Sequence, residues 1–200
     1  MGDALQLTDL QIDALKEIAN IGAGHAATAL SQMLGSTIKL ETPKAELLRY
    51  AELGSRFSDE RIFAVLHVYV RGDIPGHLVV LFDQGDALAF VHLFLRRVSG
   101  DLQIFDAVVE TTLKEVANIV ASSYLSALIR LTDANMLPSV PVVTYGSMRA
   151  TFDALMPMAP HRDVFFVQST FLDRGAKMSG QVIFIPDTGS VEPLLAAFGV

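Results

Sequence analysis

An internal repeat is the feature of this sequence that most constrains its fold. The phrase Leu-Lys-Glu-x-Ala-Asn-Ile occupies residues 15–21 and again residues 113–119, and each copy is followed at the same distance by a proline, Pro43 or Pro141. A gapless alignment of residues 13–43 with residues 111–141 pairs ten identical residues. The constant offset of 98 residues indicates a duplicated chain, with repeats at about 10–98 and 106–200.

The repeated phrase has the spacing of an amphipathic helix. At about 100° per residue, its apolar positions share one face and a polar set lies on the opposite face. The polar positions are Asp13, Glu17, Asn20 and Gly24 in the first copy and Thr111, Glu115, Asn118 and Ser122 in the second. We therefore expect two helices that each display a glutamate and an asparagine to solvent.

The exposed Glu/Asn pair has two interpretations. Residues three apart are neighbours on a helix surface, and a solvated face explains one such pair. Asparagine, however, is unfavourable inside a helix because its amide competes for backbone hydrogen bonds, so packing gives no reason to keep it twice. A carboxamide can orient a water molecule because it donates and accepts hydrogen bonds without titrating, and the adjacent carboxylate can attract a cationic partner.

The composition excludes several classes of protein. The 200 residues include no cysteine, which excludes disulfides, thiolate zinc sites and thiol nucleophiles. A net charge of −7 argues against a nucleic-acid surface, and the five histidines lack the close spacing of metal ligands. No apolar stretch approaches the roughly 18 residues of a membrane span, and the first residues do not resemble a signal peptide. We expect a cytoplasmic protein without membrane insertion.

The remaining pattern predicts strands and a helix in each half. The predicted strands are 37–41, 62–70 and 78–82, then 141–145, 164–172 and 181–185, and the additional helices are 86–97 and 191–198. The offset grows to 104 between Gly76 and Gly180, so six residues are inserted, near 148–160 and 174–177. Segment 44–61 is predicted as a polar loop or short helix, with 45–53 as the helical part.

Together these elements predict an α/β fold of the α+β kind. Two halves related by a pseudo-twofold axis would form a mixed or antiparallel sheet of about six strands, with helices packed on it and both motif helices exposed. Each half alone is small for an independent core, so we expect residues 1–200 to form a single domain.

The two motifs resemble the paired signature of the CheC-type chemotaxis phosphatases, a family that includes CheX and FliY. The matching spacings are Asp13-x3-Glu17-x2-Asn20-x22-Pro43 and Thr111-x3-Glu115-x2-Asn118-x22-Pro141. Residues 21–24 and 26–31 are also similar to the family pattern. The sequence departs from it at Thr111, where aspartate or serine is usual, at Ala19 and Ala117, where glycine is common, and at His25, where asparagine is usual.

The resemblance implies an enzyme that hydrolyses the phosphoaspartate of the response regulator CheY. Asn20 and Asn118 would place the attacking water, and Glu17 and Glu115 would dock on a lysine of the receiver domain. Supporting positions would be Asp13, Thr111, Gly24, Pro43 and Pro141. No cofactor of its own is implied, because Mg²⁺ is expected on the receiver. The alternative is a non-catalytic scaffold of the chemotaxis or flagellar-switch system that binds phosphorylated CheY or the deamidase CheD.

Overall fold

The computed structural model describes residues 8–40, 44–49, 61–95, 102–155, 163–173, 178–187, 189–196 and 199. Within them the helices are α1 (Asp9–Leu34), α2 (Gln84–Leu95), α3 (Ala107–Thr132), α4 (Met148–Leu155) and α5 (Val191–Ala196). The strands are β1 (Lys39–Leu40), β2 (Lys44–Arg49), β3 (Phe63–Gly72), β4 (Gly76–Asp83), β5 (Met136–Pro138), β6 (Val142–Gly146), β7 (Asp163–Asp173) and β8 (Met178–Pro186). Among the described helices, none is both long and apolar enough to cross a membrane.

The two helices that carry the repeated phrase, α1 and α3, begin and end at equivalent residues. Each has 26 residues. At the start of α1, the Thr8 hydroxyl accepts a hydrogen bond from the Gln11 amide and the Gln11 side chain accepts one from the Thr8 amide, which satisfies two amides that the helix leaves free. Gly35 and Asp133 end the helices in the left-handed conformation. The repeats therefore share their helix limits.

A single sheet combines strands from both halves of the chain. The central order is β7-β8-β4-β3, and every pairing is antiparallel. Strands β1 and β2 both pair with β7 at one edge, and β5 and β6 both pair with β3 at the other edge. The eight strands thus fill six positions, which confirms the predicted sheet. We propose that residues 1–200 unfold as one unit, because each half completes the hairpin of the other.

The strand registers obey the pseudo-twofold symmetry that the repeat predicts. Lys39 faces Leu172, and its counterpart Leu137 faces Arg71. Equivalent residues are therefore 98 positions apart in the sequence for the edge strands, and 101 positions apart for β3 and β7. For β4 and β8 the separation is 104 positions. Three of the six inserted residues consequently precede β7 and three lie between β7 and β8, which confirms the two predicted places.

In the described part of the chain, one face of the sheet packs against four helices and the other against the short helix α4. Residues of β3, β4 and β8 such as Leu66, Val80 and Phe184 join one core with α1, α2, α3 and α5. Val65 is also buried but points to the other side, because successive strand residues alternate between faces. There α4 contacts β3 and β6 and buries Phe152.

The helix predicted within segment 44–61 is wrong for its first residues. Residues 44–49 form β2, which pairs with β7 along its whole length, and residues 50–60 lie outside the described part of the chain. Local helix propensity is outweighed because the unpaired backbone groups of β7 offer hydrogen bonds to an extended neighbour. The repeat contained the missing signal, since the strand predicted at 141–145 has its counterpart at 43–47.

Helices α1 and α3 pack closely because a glycine meets an aromatic ring. Gly22 and Tyr124 are both buried. A methyl group at Gly22 would lie 2.7 Å from atom Cε2 of the Tyr124 ring, closer than a carbon contact allows. Gly24, two residues further along α1, has no atom of the described residues within 4 Å of the same methyl position. The two glycines therefore serve different purposes in one helix.

We expect Gly22→Ala to lower the free energy of unfolding by about 1–3 kcal/mol, because the added methyl overpacks a ring that cannot move away. Gly24→Ala is the matched control, and it should raise that free energy by about 0.5–1 kcal/mol because alanine favours the helix and meets no atom. Urea unfolding followed by far-UV and near-UV circular dichroism measures both. Coincident transitions would support one cooperative unit, and equal effects of the two substitutions would contradict the packing argument.

Four polar side chains form a network on the sheet face that α4 contacts. His67 Nε2 lies 2.9 Å from His77 Nδ1, His77 Nε2 lies 3.4 Å from Asp187 Oδ1, and the Tyr69 hydroxyl donates to Asp187 Oδ2 at 2.8 Å. Burial, assisted by the charge of His77, lowers the pKa of His67 to about 4. Burial also lowers the pKa of His77, although Asp187 acts in the opposite direction. Both rings are therefore neutral at pH 7.

This network predicts a loss of stability in mild acid. A histidine whose pKa in the folded state is below its unfolded value of about 6.5 binds more protons when the chain is unfolded. Its contribution to the free energy of unfolding is therefore fully present above pH 6.5 and is lost as the pH falls towards 4. The double substitution His67→Gln/His77→Gln should flatten this dependence, since Gln168 and Gln181 occupy the equivalent positions in β7 and β8. Melting temperatures between pH 7.5 and 4.5 test this, and equal slopes would contradict it.

Candidate functional site

The four predicted motif side chains lie on the outer faces of α1 and α3. Glu17, Asn20, Glu115 and Asn118 are all exposed. Within each pair the residues are three apart on a helix, which places their Cβ atoms about 5–6 Å from each other. Among the described residues, none of the four makes a hydrogen bond or an ion pair. The structure therefore brings together Glu17 with Asn20 and Glu115 with Asn118, as two separate pairs.

A lysine precedes each glutamate, and in both copies it pairs with a different carboxylate. Lys16 Nζ lies 3.0 Å from Asp13 Oδ1, one turn towards the start of α1. Lys114 Nζ lies 2.6 Å from Glu110 Oε1, also one turn back. These exposed pairs contribute little stability. They do direct each lysine away from the asparagine one turn further along, so no cation of the same helix covers the Glu/Asn surface.

The supporting positions differ between the copies. Asp13 binds Lys16, whereas Thr111 donates its hydroxyl to the Ala107 carbonyl at 2.8 Å. The acid that position 111 lacks stands one residue earlier, at Glu110, and it holds the equivalent lysine. Spacing rules for charges on helices could have identified both pairs in the sequence.

Of the predicted glycine and proline positions, Gly24 lies beside the first Glu/Asn pair and Pro141 lies next to the start of β6. Gly24 leaves open space beside Asn20, and exposed Ser122 takes its place on α3. Pro141 is buried immediately before β6 and is remote in the sequence from both Glu/Asn pairs. Pro43 lies outside the described residues. The repeated proline therefore belongs to the start of an edge strand in the second copy.

Sequence reasoning missed a polar groove between the two helices. Arg130 Nη2 lies 3.2 Å from both ring nitrogens of His25. A nitrogen at equal distances from both cannot lie along either lone pair, so the guanidinium sits over the imidazole ring. Only the packing of α1 on α3 brings these residues together, because they are 105 residues apart. In the described part of the chain, no group of three or more His, Asp or Glu side chains could hold a metal ion.

Comparisons with known proteins agree with this architecture. A model of the CheC-like family matches residues 10–47 and 109–145, the two copies of the motif. The chain is 31% identical over 196 residues to the CheY-P phosphatase CheC of Bacillus subtilis (strain 168), and the match covers 94% of each chain.

Solved structures show the same fold. FliY of Thermotoga maritima superposes with a TM-score of 0.79 at 23% identity, over 98% of both chains. The CheX–CheY–BeF₃–Mg²⁺ complex of Borrelia burgdorferi gives a TM-score of 0.61 at 16% identity, over 88% of this chain and 98% of that one. With its duplicated motif, its sheet and its full-length similarity to CheC, the chain belongs to the CheC-like family.

Proposed function

We propose that this chain dephosphorylates a phosphorylated CheY-type response regulator in chemotaxis, by hydrolysing its phosphoaspartate. The observation that carries the proposal is the pair of exposed Glu/Asn surfaces at equivalent positions of α1 and α3, whose side chains have no partner among the described residues. The similar CheC protein is a CheY-P phosphatase, and a CheX protein of the same fold has been crystallised with CheY, BeF₃ and Mg²⁺. The proposed localisation is the cytoplasm, where such a regulator would be met.

In this mechanism Glu17 and Glu115 dock the receiver. Each carboxylate is exposed on a helix surface and pairs with none of the described residues, and the nearby Lys16 and Lys114 are bound by other acids. A carboxylate without an internal partner can accept charge-assisted hydrogen bonds from a lysine of the receiver. Because the helix is already rigid, docking restricts few side chains or loops of this chain, so the conformational-entropy cost of binding is small.

Asn20 and Asn118 then place the attacking water. The water oxygen bonds to phosphorus as the bond to the receiver's aspartate oxygen breaks. The aspartate leaves as a carboxylate, and both hydrogens of the water leave with the released inorganic phosphate as H₂PO₄⁻. Asparagine takes no proton; its amide holds the water in line for attack. Phosphoryl transfer depends mainly on such positioning and on charge stabilisation, which Mg²⁺ bound to the receiver would supply. Asp13 and Glu110 support the site by holding the lysines aside.

We expect the chain to accelerate phosphate loss from a phosphorylated CheY-type receiver in the presence of Mg²⁺. Asn20→Ala and Asn118→Ala should each lower the rate about twofold if the sites are equally active, and the double variant should lose about 10²–10³-fold, as removal of a positioned group commonly does. The assay follows release of ³²P from the labelled receiver. Single-variant rates also rank the two sites, which differ at Thr111 and Gly24.

Binding of the phosphorylated receiver without any acceleration would contradict the phosphatase proposal and favour a scaffold. The same preparation, mixed with the deamidase CheD, tests whether that protein binds and changes the rate. A matched control is Gln84→Ala, which removes an exposed amide of α2, a helix that carries neither Glu/Asn pair and does not line the groove between α1 and α3. Its rate should stay within a factor of about two of the wild type, since no water-positioning group is lost.

The asparagine substitutions should not destabilise the fold. Asn20 and Asn118 are exposed and unpartnered among the described residues. Alanine is a better helix former than asparagine by about 0.5 kcal/mol. We therefore expect each Asn→Ala variant to unfold at an equal or higher urea concentration than the wild type. A clear decrease would assign the asparagines a structural role and weaken the catalytic interpretation.

A further inference from the structure

We infer that the two Glu/Asn surfaces exclude each other, so that one chain binds one receiver domain at a time. The inference rests on the proposed function, because it concerns how many copies of the same partner can dock. It follows from the groove that separates the two surfaces. Nothing in the duplication alone predicts it, since two motifs would suggest two independent sites.

The groove between α1 and α3 lies on the pseudo-twofold axis. It has a volume of about 350 Å³, and six of its lining residues form three equivalent pairs, 98 residues apart. These pairs are His25 with Ser123, Thr28 with Ser126, and Gln32 with Arg130. A groove whose two walls are equivalent is equally distant from both Glu/Asn surfaces. The axis also passes between β4 and β8. Helices α1 and α3 therefore lie on either side of it and run in opposite directions.

Each Glu/Asn surface continues into this groove. Ser122 and Ser126 follow Asn118 at intervals of one helical turn and both line the groove. Thr28 follows Asn20 by about two turns and lines the opposite wall. A partner seated over either asparagine and extending along the helix therefore reaches the same groove, from one side or the other.

The inner ends of the two surfaces are closer together than a protein interface is wide. Asn20 and Asn118 each lie eight residues from the groove pair Thr28/Ser126, which is about 12 Å at 1.5 Å per residue, so the two asparagines are about 25 Å apart along the helices. Glu17 and Glu115 lie three residues further out, which places them about 33 Å apart. A standard interface covers about 800 Å² per partner, a patch about 30 Å across, and a small domain is about 30 Å wide. Two receivers would overlap above the groove.

Arg130 gives the two orientations a common contact. It is exposed, it lies over His25, and its counterpart on the other wall is the uncharged Gln32. A receiver docked at either surface can place a carboxylate against this guanidinium, whereas two receivers cannot share it. Arg130→Gln makes the two walls alike, so we expect it to weaken docking in both the Glu17→Ala and the Glu115→Ala backgrounds.

The deciding experiment counts receivers bound to the full chain. The probe is a purified CheY-type receiver activated with beryllofluoride and Mg²⁺ at saturating concentration, and the mass of the complex is measured by light scattering during gel filtration. We expect one receiver per chain for the wild type, for Glu17→Ala and for Glu115→Ala. Two receivers on the wild type and one on each variant would overturn the exclusion.

Two other results are equally informative. If either single glutamate variant binds no receiver, only one surface works and the exclusion is overturned. If the wild type binds no receiver and releases no phosphate, the proposed function itself fails, and the inference with it. Turnover adds an independent measure. Under exclusion, Glu17→Ala mainly raises KM, about twofold, because one of the two docking surfaces is lost. Asn20→Ala lowers kcat, because receivers still dock at the surface whose asparagine is missing. If the two sites were independent, kcat would fall in both variants.

Discussion

The exchange of edge strands between the two halves is the interaction on which the rest of the structure depends. Strands β1 and β2 of the first half pair only with β7 of the second, and β5 and β6 of the second pair only with β3 of the first, within the described chain. Each hairpin without its partner would expose unpaired backbone groups along a hydrophobic strand, a state that proteins avoid. The exchange therefore fixes the symmetry axis and, through it, the places of α1 and α3.

The close approach of α1 and α3 turns that symmetry into two defined surfaces. Gly22 lets α1 settle against the buried ring of Tyr124, and burial of the inner faces leaves neither helix free to rotate. The glutamate and asparagine of each copy consequently point outwards at set positions, on a rigid element. Catalysis by positioning requires this property, since small displacements of the positioning group cost much of the rate.

The duplication allows one half of the molecule to be compared with the other. Both copies keep the lysine, glutamate and asparagine. In both, the lysine forms an ion pair with a carboxylate one turn earlier in the helix, Asp13 in one copy and Glu110 in the other. Elsewhere the copies have diverged: His67 stands where the second half has Gln168, and Lys39 at one sheet edge corresponds to exposed Leu137 at the other. The arrangement around the Glu/Asn surfaces is thus retained while other surfaces have acquired different chemistry.

The sequence by itself determined the repeat, both long helices, the exposure of Glu17 and Asn20 and their counterparts, and six sheet positions, because these follow from local periodicity and a constant offset. It did not determine that β2 is a strand, since its hydrogen-bond partner lies more than 100 residues away in β7. The tertiary structure alone decided that Arg130 meets His25 and that a shared groove joins the two surfaces. Such contacts depend on how α1 and α3 pack across the axis, and no spacing within either helix encodes that distance.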